Sequence, residues 1–295
     1  MREDWVEFED WRLGYTEYGT GERVVVLVHG LLMNRRMCDR LAPALAEQGY
    51  RVITVDLLGH GRSDRPPDMR LYNMPGFAKQ LAAVLERLEL DRPVIGGTSL
   101  GANVSIELAA TYPELSRGLF LEMPVLDNAL VGAVLIFTPA LLGLRFGKPL
   151  LGPLSALARR LPRTHLLADI LLDWARQDAE SSSAVLEGVL FGRTAPPSEE
   201  RRRIDQPALV IGHPADPLHP FSDSDMLYEE LAGSRLVEAS SILEWRLAPE
   251  RLDSELTRFL GDVYASGERS TDAPERSRDT AERGAQAPEQ ARAVQ

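Results

Sequence analysis

Cysteine is almost missing from this 295-residue chain, in which Cys38 is the single one. One cysteine cannot form an internal disulfide, and no Cys/His pairs stand at metal-ligand spacing, so we expect neither a disulfide framework nor a metal site. The first residues, Met1 to Trp5, also lack the apolar core of a secretory signal, which predicts a cytoplasmic protein. No motif calls for a cofactor.

Positive charge is in the minority, since the formal net charge is −11 and the sequence pI is near 5.1. This balance disfavours nucleic acid and anionic membranes as partners. The apolar stretch 129–144 holds no charge, but it is shorter than the ~20 residues of a membrane span and is interrupted by Gly132 and Pro139. We therefore expect an apolar lid helix there in preference to the alternative, a membrane anchor, and no membrane partner.

Hydrophobic patterns alternate between strand and helix along most of the chain. Residues 5–18 predict an antiparallel strand pair, and the continuous apolar runs 23–28 and 50–55 are typical of strands buried on both faces. Helical patterns follow at 37–48 and 77–90. This order predicts an α/β fold with a doubly wound, mostly parallel sheet.

The alternation stops in the middle of the chain and the composition changes at its end. Residues 123–203 are leucine-rich, with repeated Pro and Gly, and predict an inserted helical cap. The core then comprises 1–122 and 204–265. Residues 266–295 hold almost no bulky apolar side chain, so we predict a disordered tail.

A G-x-S-x-G pattern, Gly97-Thr98-Ser99-Leu100-Gly101, lies between an apolar strand pattern and an apolar helix pattern. This context is typical of a strained strand-to-helix turn that exposes a serine hydroxyl. Glycines suit the flanking positions because strand and helix crowd them. The pattern makes Ser99 a candidate nucleophile.

With three further motifs, this chain resembles the α/β-hydrolases over roughly residues 11–260. Each of the four motifs follows a predicted strand, where open α/β sheets bind ligands. They are Val28-His29-Gly30-Leu31, the loop 56–64 (DLLGHGRSD), the serine motif and the loop 212–220 (GHPADPLHP).

The resemblance implies a role for each matching residue. Ser99 would be the nucleophile that forms an acyl-enzyme. The backbone N–H groups of Leu31 and Leu100 would form the oxyanion hole. Asp216 would be the acid that orients an imidazole.

The family's histidine would fall in the loop 240–248 (SSILEWRLA), which contains none. Three explanations stay open. His219, or less favourably His213, reaches Ser99 from the Asp216 loop; Glu244 acts as an unconventional base with a raised pKa; or the fold has lost efficient turnover. For Glu244, a surface ion pair with Arg246 is the simpler interpretation.

The remaining candidates have simpler structural roles. We expect His29 and His60 to hold loop backbone, and His165 to be a solvated residue of the cap. Glu122 and Asp127 offer a second position for the acid, ranked below Asp216. The aromatic side chains that we expect to line or cover an apolar pocket from the cap are Phe137, Phe146, Phe191 and Trp174.

These features predict a hydrolase that cleaves an ester or related acyl bond of a small apolar molecule, through a serine nucleophile and an oxyanion hole. Its partner would be that substrate alone. The alternative is a non-catalytic or weakly catalytic ligand-binding protein of the same fold.

Overall fold

An eight-stranded sheet lies at the centre of the computed structural model, which describes residues 1–158, 160–161, 172, 176 and 178–271. The strands are β1 (Arg2–Phe8), β2 (Trp11–Tyr18), β3 (Arg23–Val28), β4 (Tyr50–Val55), β5 (Val94–Thr98), β6 (Gly118–Glu122), β7 (Ala208–Gly212) and β8 (Ser234–Glu238). Their order across the sheet is β1-β2-β4-β3-β5-β6-β7-β8.

Only the N-terminal end of this sheet is antiparallel. β1 pairs with β2, and β2 with β4, in opposite directions, and the other pairs from β4 to β8 are parallel. The predicted α/β class with a mostly parallel sheet is confirmed. The first strand pair turns at Glu9–Asp10, where Glu9 has a φ of 52°.

Helices cover both faces of the sheet. They are α1 (Leu41–Glu47), α2 (Met74–Arg87), α3 (Leu100–Thr111), α4 (Leu130–Phe146), α5 (Lys148–Ala158), α6 (Ala179–Phe191), α7 (Ser198–Arg201), α8 (Phe221–Glu230), α9 (Glu244–Leu247) and α10 (Glu250–Thr271). Short 3₁₀ turns lie at Arg35–Cys38, Met69–Leu71 and Pro113–Leu115.

Two of these boundaries differ from the sequence prediction. The helix expected over 37–48 starts at Leu41, because Asn34 caps a separate 3₁₀ turn, Arg35–Cys38, through its side-chain oxygen. The last helix continues to Thr271 and so includes the first residues of the predicted tail. The rest of that tail, 272–295, lies outside the described residues.

Apolar side chains fill two cores, one on each face of the sheet. On one face α2 contributes Phe77 and Leu81, which are fully buried. On the other, α10 contributes Leu256 and Phe259. Each such side chain stabilises the fold by roughly 1.5–3 kcal/mol, so the sheet that carries the loops is rigidly held.

The insertion between β6 and β7 holds α4 to α7, and buried carboxylates fasten it to α8. Asp223 accepts hydrogen bonds from the backbone N–H groups of Leu126, Asn128 and Ala129, at 2.7, 3.0 and 3.1 Å. Glu230 binds the buried Arg201 at the end of α7, with Nη2 to Oε1 at 3.0 Å. Both ends of the insertion are thereby tied to one helix.

None of the helices in the described ranges is long and apolar enough to cross a lipid bilayer.

Candidate active site

Ser99 occupies a strained turn between β5 and α3, with φ 55° and ψ −108°. The turn is held by a hydrogen bond from the Ser99 N–H to the Glu122 carbonyl, at 2.8 Å. A Cβ atom on Gly97 would lie 2.0 Å from the Val28 carbonyl oxygen, and one on Gly101 would lie 2.2 Å from it. The end of β3 therefore explains why both flanking residues are glycine.

A chain of two hydrogen bonds connects Ser99 to His219 and Asp216. The Ser99 hydroxyl lies 2.9 Å from His219 Nε2, and His219 Nδ1 lies 2.9 Å from Asp216 Oδ2. Because the carboxylate accepts from Nδ1–H, Nε2 is left to accept the serine proton. This is the arrangement of a nucleophile, a general base and an orienting acid.

The loop between β7 and α8 brings Asp216 and His219 together. Oδ1 of Asp216 accepts backbone N–H bonds from Leu218 at 2.8 Å and His219 at 3.0 Å, which folds the loop back on its own side chain. Burial alone would raise the pKa of Asp216, but His219 and these N–H groups bring the pKa below its usual value. The carboxylate is therefore charged at neutral pH.

The N–H groups of Leu31 and Leu100 have the properties of oxyanion-hole donors. Both residues line the same cavity as the Ser99 and His219 side chains. Neither N–H donates a hydrogen bond to another residue in the described part of the chain. Leu100 also begins α3, where the helix dipole favours negative charge.

The main cavity, defined as the space beside Ser99 and below α4, encloses about 600 Å³ counted to its open mouth. Its walls are mainly apolar and are contributed by the core and by the insertion. The lining residues besides Ser99 and His219 are Leu31, Met74, Leu100, Asn103, Val125, Leu130, Ala133, Val134, Phe137, Val189, Leu190, Thr194 and Leu218.

Of the three expected aromatic residues that the structure describes, one lines the pocket. Phe137 lines the main cavity, whereas Phe146 and Phe191 are 75% and 76% exposed on the outside of the insertion. For those two residues the prediction of a pocket position is wrong, because they lie at the last positions of α4 and α6, respectively. Trp174 and His165 lie outside the described residues.

Asn103, one turn after Ser99, joins both ends of the insertion. Its side-chain amide donates to the carbonyls of Val125 at 2.6 Å and Thr194 at 2.7 Å, and accepts from the Val125 N–H at 2.9 Å. All three residues line the main cavity. Sequence analysis missed this role, although a polar residue on an otherwise apolar helix face was a usable signal.

Glu244 is not placed to act as a base, and the prediction that it pairs with Arg246 is wrong. It accepts two hydrogen bonds from Arg251, both at 2.7 Å, and one from the Ser240 N–H. The Arg251 hydrogen bond is the main cause that lowers the pKa of Glu244 to about 2, opposite to the required rise. Arg246 instead binds Glu122, with Nη1 to Oε1 at 3.1 Å and Nη2 to Oε2 at 3.2 Å.

His213 is buried and is not placed to act as the base for Ser99. Its Nδ1 lies 2.9 Å from the Ser241 carbonyl and its Nε2 lies 3.2 Å from Glu122 Oε1. The ring therefore lies against Glu122, and its Nε2 makes no hydrogen bond within the described residues. Asp127, the other candidate acid, pairs with Arg201 at 3.2 Å.

His29 and His60 bind loop backbone. His29 accepts the N–H of Leu57 at Nε2, at 3.2 Å, and its Nδ1 lies 2.8 Å from the Gly30 carbonyl. His60 Nδ1 lies 2.9 Å from the Leu58 carbonyl. Burial lowers the pKa of both imidazoles, which keeps them neutral.

Comparisons with known proteins agree with this architecture. Residues 23–166 match the family described as the alpha/beta hydrolase fold. Bifunctional epoxide hydrolase 2 of Sus scrofa is 34% identical over 106 residues, which are 36% of this chain and 19% of that protein. A serine hydrolase-like protein of Dictyostelium discoideum is 35% identical over 91 residues, 31% of this chain and 25% of that protein.

Those matches span a quarter or less of each relative's length. A solved structure, the enol-lactonase of Burkholderia xenovorans LB400, is similar over a longer stretch. It superposes with a TM-score of 0.72 at 22% identity, covering 88% of this chain and all of that one. The sheet order, the strained serine turn and these similarities together show that the chain has the α/β-hydrolase fold.

Proposed function

We propose that this protein is a serine hydrolase that cleaves an ester or related acyl bond of a small apolar molecule. The observation that carries the proposal is the pair of 2.9 Å contacts that link Ser99 through His219 to Asp216. A serine hydroxyl is a weak nucleophile alone, and a hydrogen-bonded base with an oriented tautomer is what activates it.

In the acylation step, His219 Nε2 takes the proton of the Ser99 hydroxyl while Oγ bonds to the substrate carbonyl carbon. The carbonyl oxygen becomes an oxyanion, which the N–H groups of Leu31 and Leu100 stabilise by ~3–4 kcal/mol each. The tetrahedral intermediate then expels the alcohol, whose oxygen receives the proton from His219. Ser99 is left as an acyl ester.

Deacylation repeats these steps with water. His219 removes a proton from water as its oxygen attacks the acyl carbon, and the same two N–H groups stabilise the second oxyanion. Collapse returns the proton to Ser99 Oγ and releases the carboxylic acid. Asp216 stays ionised throughout and stabilises the imidazolium that forms twice in the cycle.

The apolar substrate follows from the lining of the main cavity. Its polar groups are concentrated at Ser99 and His219, and the amide of Asn103 is already bonded to Val125 and Thr194. A substrate with a hydrocarbon acyl or alcohol part would gain from contact with these walls. The name of the enol-lactonase describes a cyclic ester, which is compatible with this class.

A fluorophosphonate probe tests the proposal, because it labels only an activated serine. We expect labelling of the parent chain, none in Ser99→Ala and strongly reduced labelling in His219→Ala. A matched control is Ser254→Ala, whose hydroxyl bonds only to the Glu250 carbonyl on α10. Labelling that persists in Ser99→Ala, or a parent chain that does not react, would exclude the mechanism and favour a ligand-binding protein.

A further inference from the structure

We propose that Glu122 and Arg246 are positioning residues, an ion pair that holds the Ser99 turn. The inference rests on the proposed function and extends it to two residues that touch neither the substrate nor the reacting atoms.

Glu122 holds the nucleophile turn at two consecutive residues. Its backbone carbonyl accepts the Ser99 N–H at 2.8 Å, and its carboxylate accepts the hydroxyl of Thr98. Thr98 and Glu122 are also register partners at the ends of β5 and β6. Because Ser99 has an unfavourable positive φ, these contacts supply restraint where the backbone is strained.

Arg246 lies in the loop 240–248, where the family's histidine was expected, and it binds Glu122. The planar guanidinium binds both carboxylate oxygens of Glu122, a geometry that an ammonium group does not reproduce. Glu122 is 1% exposed, and a buried carboxylate without a partner is strongly destabilising. Because the Asp216 loop supplies His219, the loop 240–248 can place a permanent cation, Arg246, against Glu122.

The groups around Glu122 keep its carboxylate ionised. Burial would raise the pKa of Glu122, but Arg246, followed by His213 and Thr98, lowers the pKa to about 2. Arg246 is charged at every working pH. His213 Nε2, at 3.2 Å, is the other titratable group in contact with this carboxylate among the described residues, and His219 itself contacts Asp216 and Ser99.

Failure of this inference leaves parent activity and probe labelling intact, whereas failure of the proposed function removes both.

Chemical rescue tests the positioning role of Arg246. A second cavity, lined by Thr98, Glu122 and Arg246, reaches the surface and encloses about 580 Å³ counted to its opening. In Arg246→Ala we expect kcat to fall by about 100-fold through misplacement of the turn. Free guanidinium, far below denaturing concentration, should restore part of it by binding Glu122.

Methylammonium at equal concentration is the control ion, because it cannot bind both carboxylate oxygens, and neither ion should raise kcat of the parent. A folded Arg246→Ala protein, verified by circular dichroism, with parent-like kcat or with no recovery in guanidinium would overturn the positioning role.

Discussion

Asp216 and His219 are three residues apart in one loop, and the Asp216 carboxylate lies 2.9 Å from His219 Nδ1. This short separation does not turn the imidazole away from Ser99, because Oδ1 of Asp216 accepts the N–H groups of Leu218 and His219 and curls the loop around the carboxylate. Asp216 and His219 therefore form one local unit.

Replacing Asp216 by Asn tests that unit. The amide can still accept backbone N–H bonds, but it can present an N–H to His219 and so favour the wrong tautomer. We expect kcat on a short-chain p-nitrophenyl ester to fall by ~10⁴-fold, with the fold retained. Asp225→Asn, on the exposed side of α8, is the control and should keep parent kinetics. A loss of less than tenfold in Asp216→Asn would remove Asp216 from the proposed mechanism.

Two glycines in helices should respond oppositely to alanine. In Gly101→Ala the new Cβ meets the Val28 and His29 carbonyl oxygens at 2.2 and 3.1 Å, so β3 and the serine turn must separate. We expect loss of several kcal/mol of unfolding free energy, or an insoluble protein. In Gly143→Ala nothing lies within 4 Å, and the helix should gain about 0.5–1 kcal/mol. Urea unfolding measures both, and an equal effect in the two variants would contradict the packing argument.

Asn103→Ala should loosen the walls of the main cavity. The substitution leaves the carbonyls of Val125 and Thr194 and the Val125 N–H without their partner, at a cost of about 1–3 kcal/mol per buried group. We expect a higher KM for apolar esters and a lower melting temperature. Asn128→Ala removes an exposed side chain of the same type and should change neither. A parent-like KM and melting temperature in Asn103→Ala would show that the two ends of the insertion are held elsewhere.

The backbone features of the site could be predicted from sequence because they have local causes. Gly97 and Gly101 flank Ser99 at the spacing that a strand-to-helix turn requires, and the apolar run 23–28 indicates the buried strand against which they pack. The mostly parallel direction of the strands then follows from the alternation of elements.

Side-chain partners across loops could not be predicted in the same way. Arg246 and Glu122 are 124 residues apart, and their pairing depends on the mutual placement of β6 and α9. No periodicity in the sequence encodes that placement. The same limit applied to Glu244, for which Arg246 was the nearer residue in sequence but Arg251 is the partner in space.

Acid should weaken the fold through Glu122. Its pKa is lowered from 4.5 to about 2 in the folded state, so its ionised form contributes stability that is fully present above the unfolded pKa and is lost as the pH falls towards 2. From about pH 5 to about pH 3 the loss is about 2 kcal/mol. Glu122→Gln has no such group, and the difference in unfolding free energy between parent and variant should shrink by that amount over the same interval.

Urea unfolding at a series of pH values measures the difference, with Glu229→Gln, exposed on α8, expected to follow the parent curve. A difference between parent and Glu122→Gln that stays constant with pH would mean that folding leaves the pKa of Glu122 unchanged, and the ion pair with Arg246 would then not stabilise its ionised form.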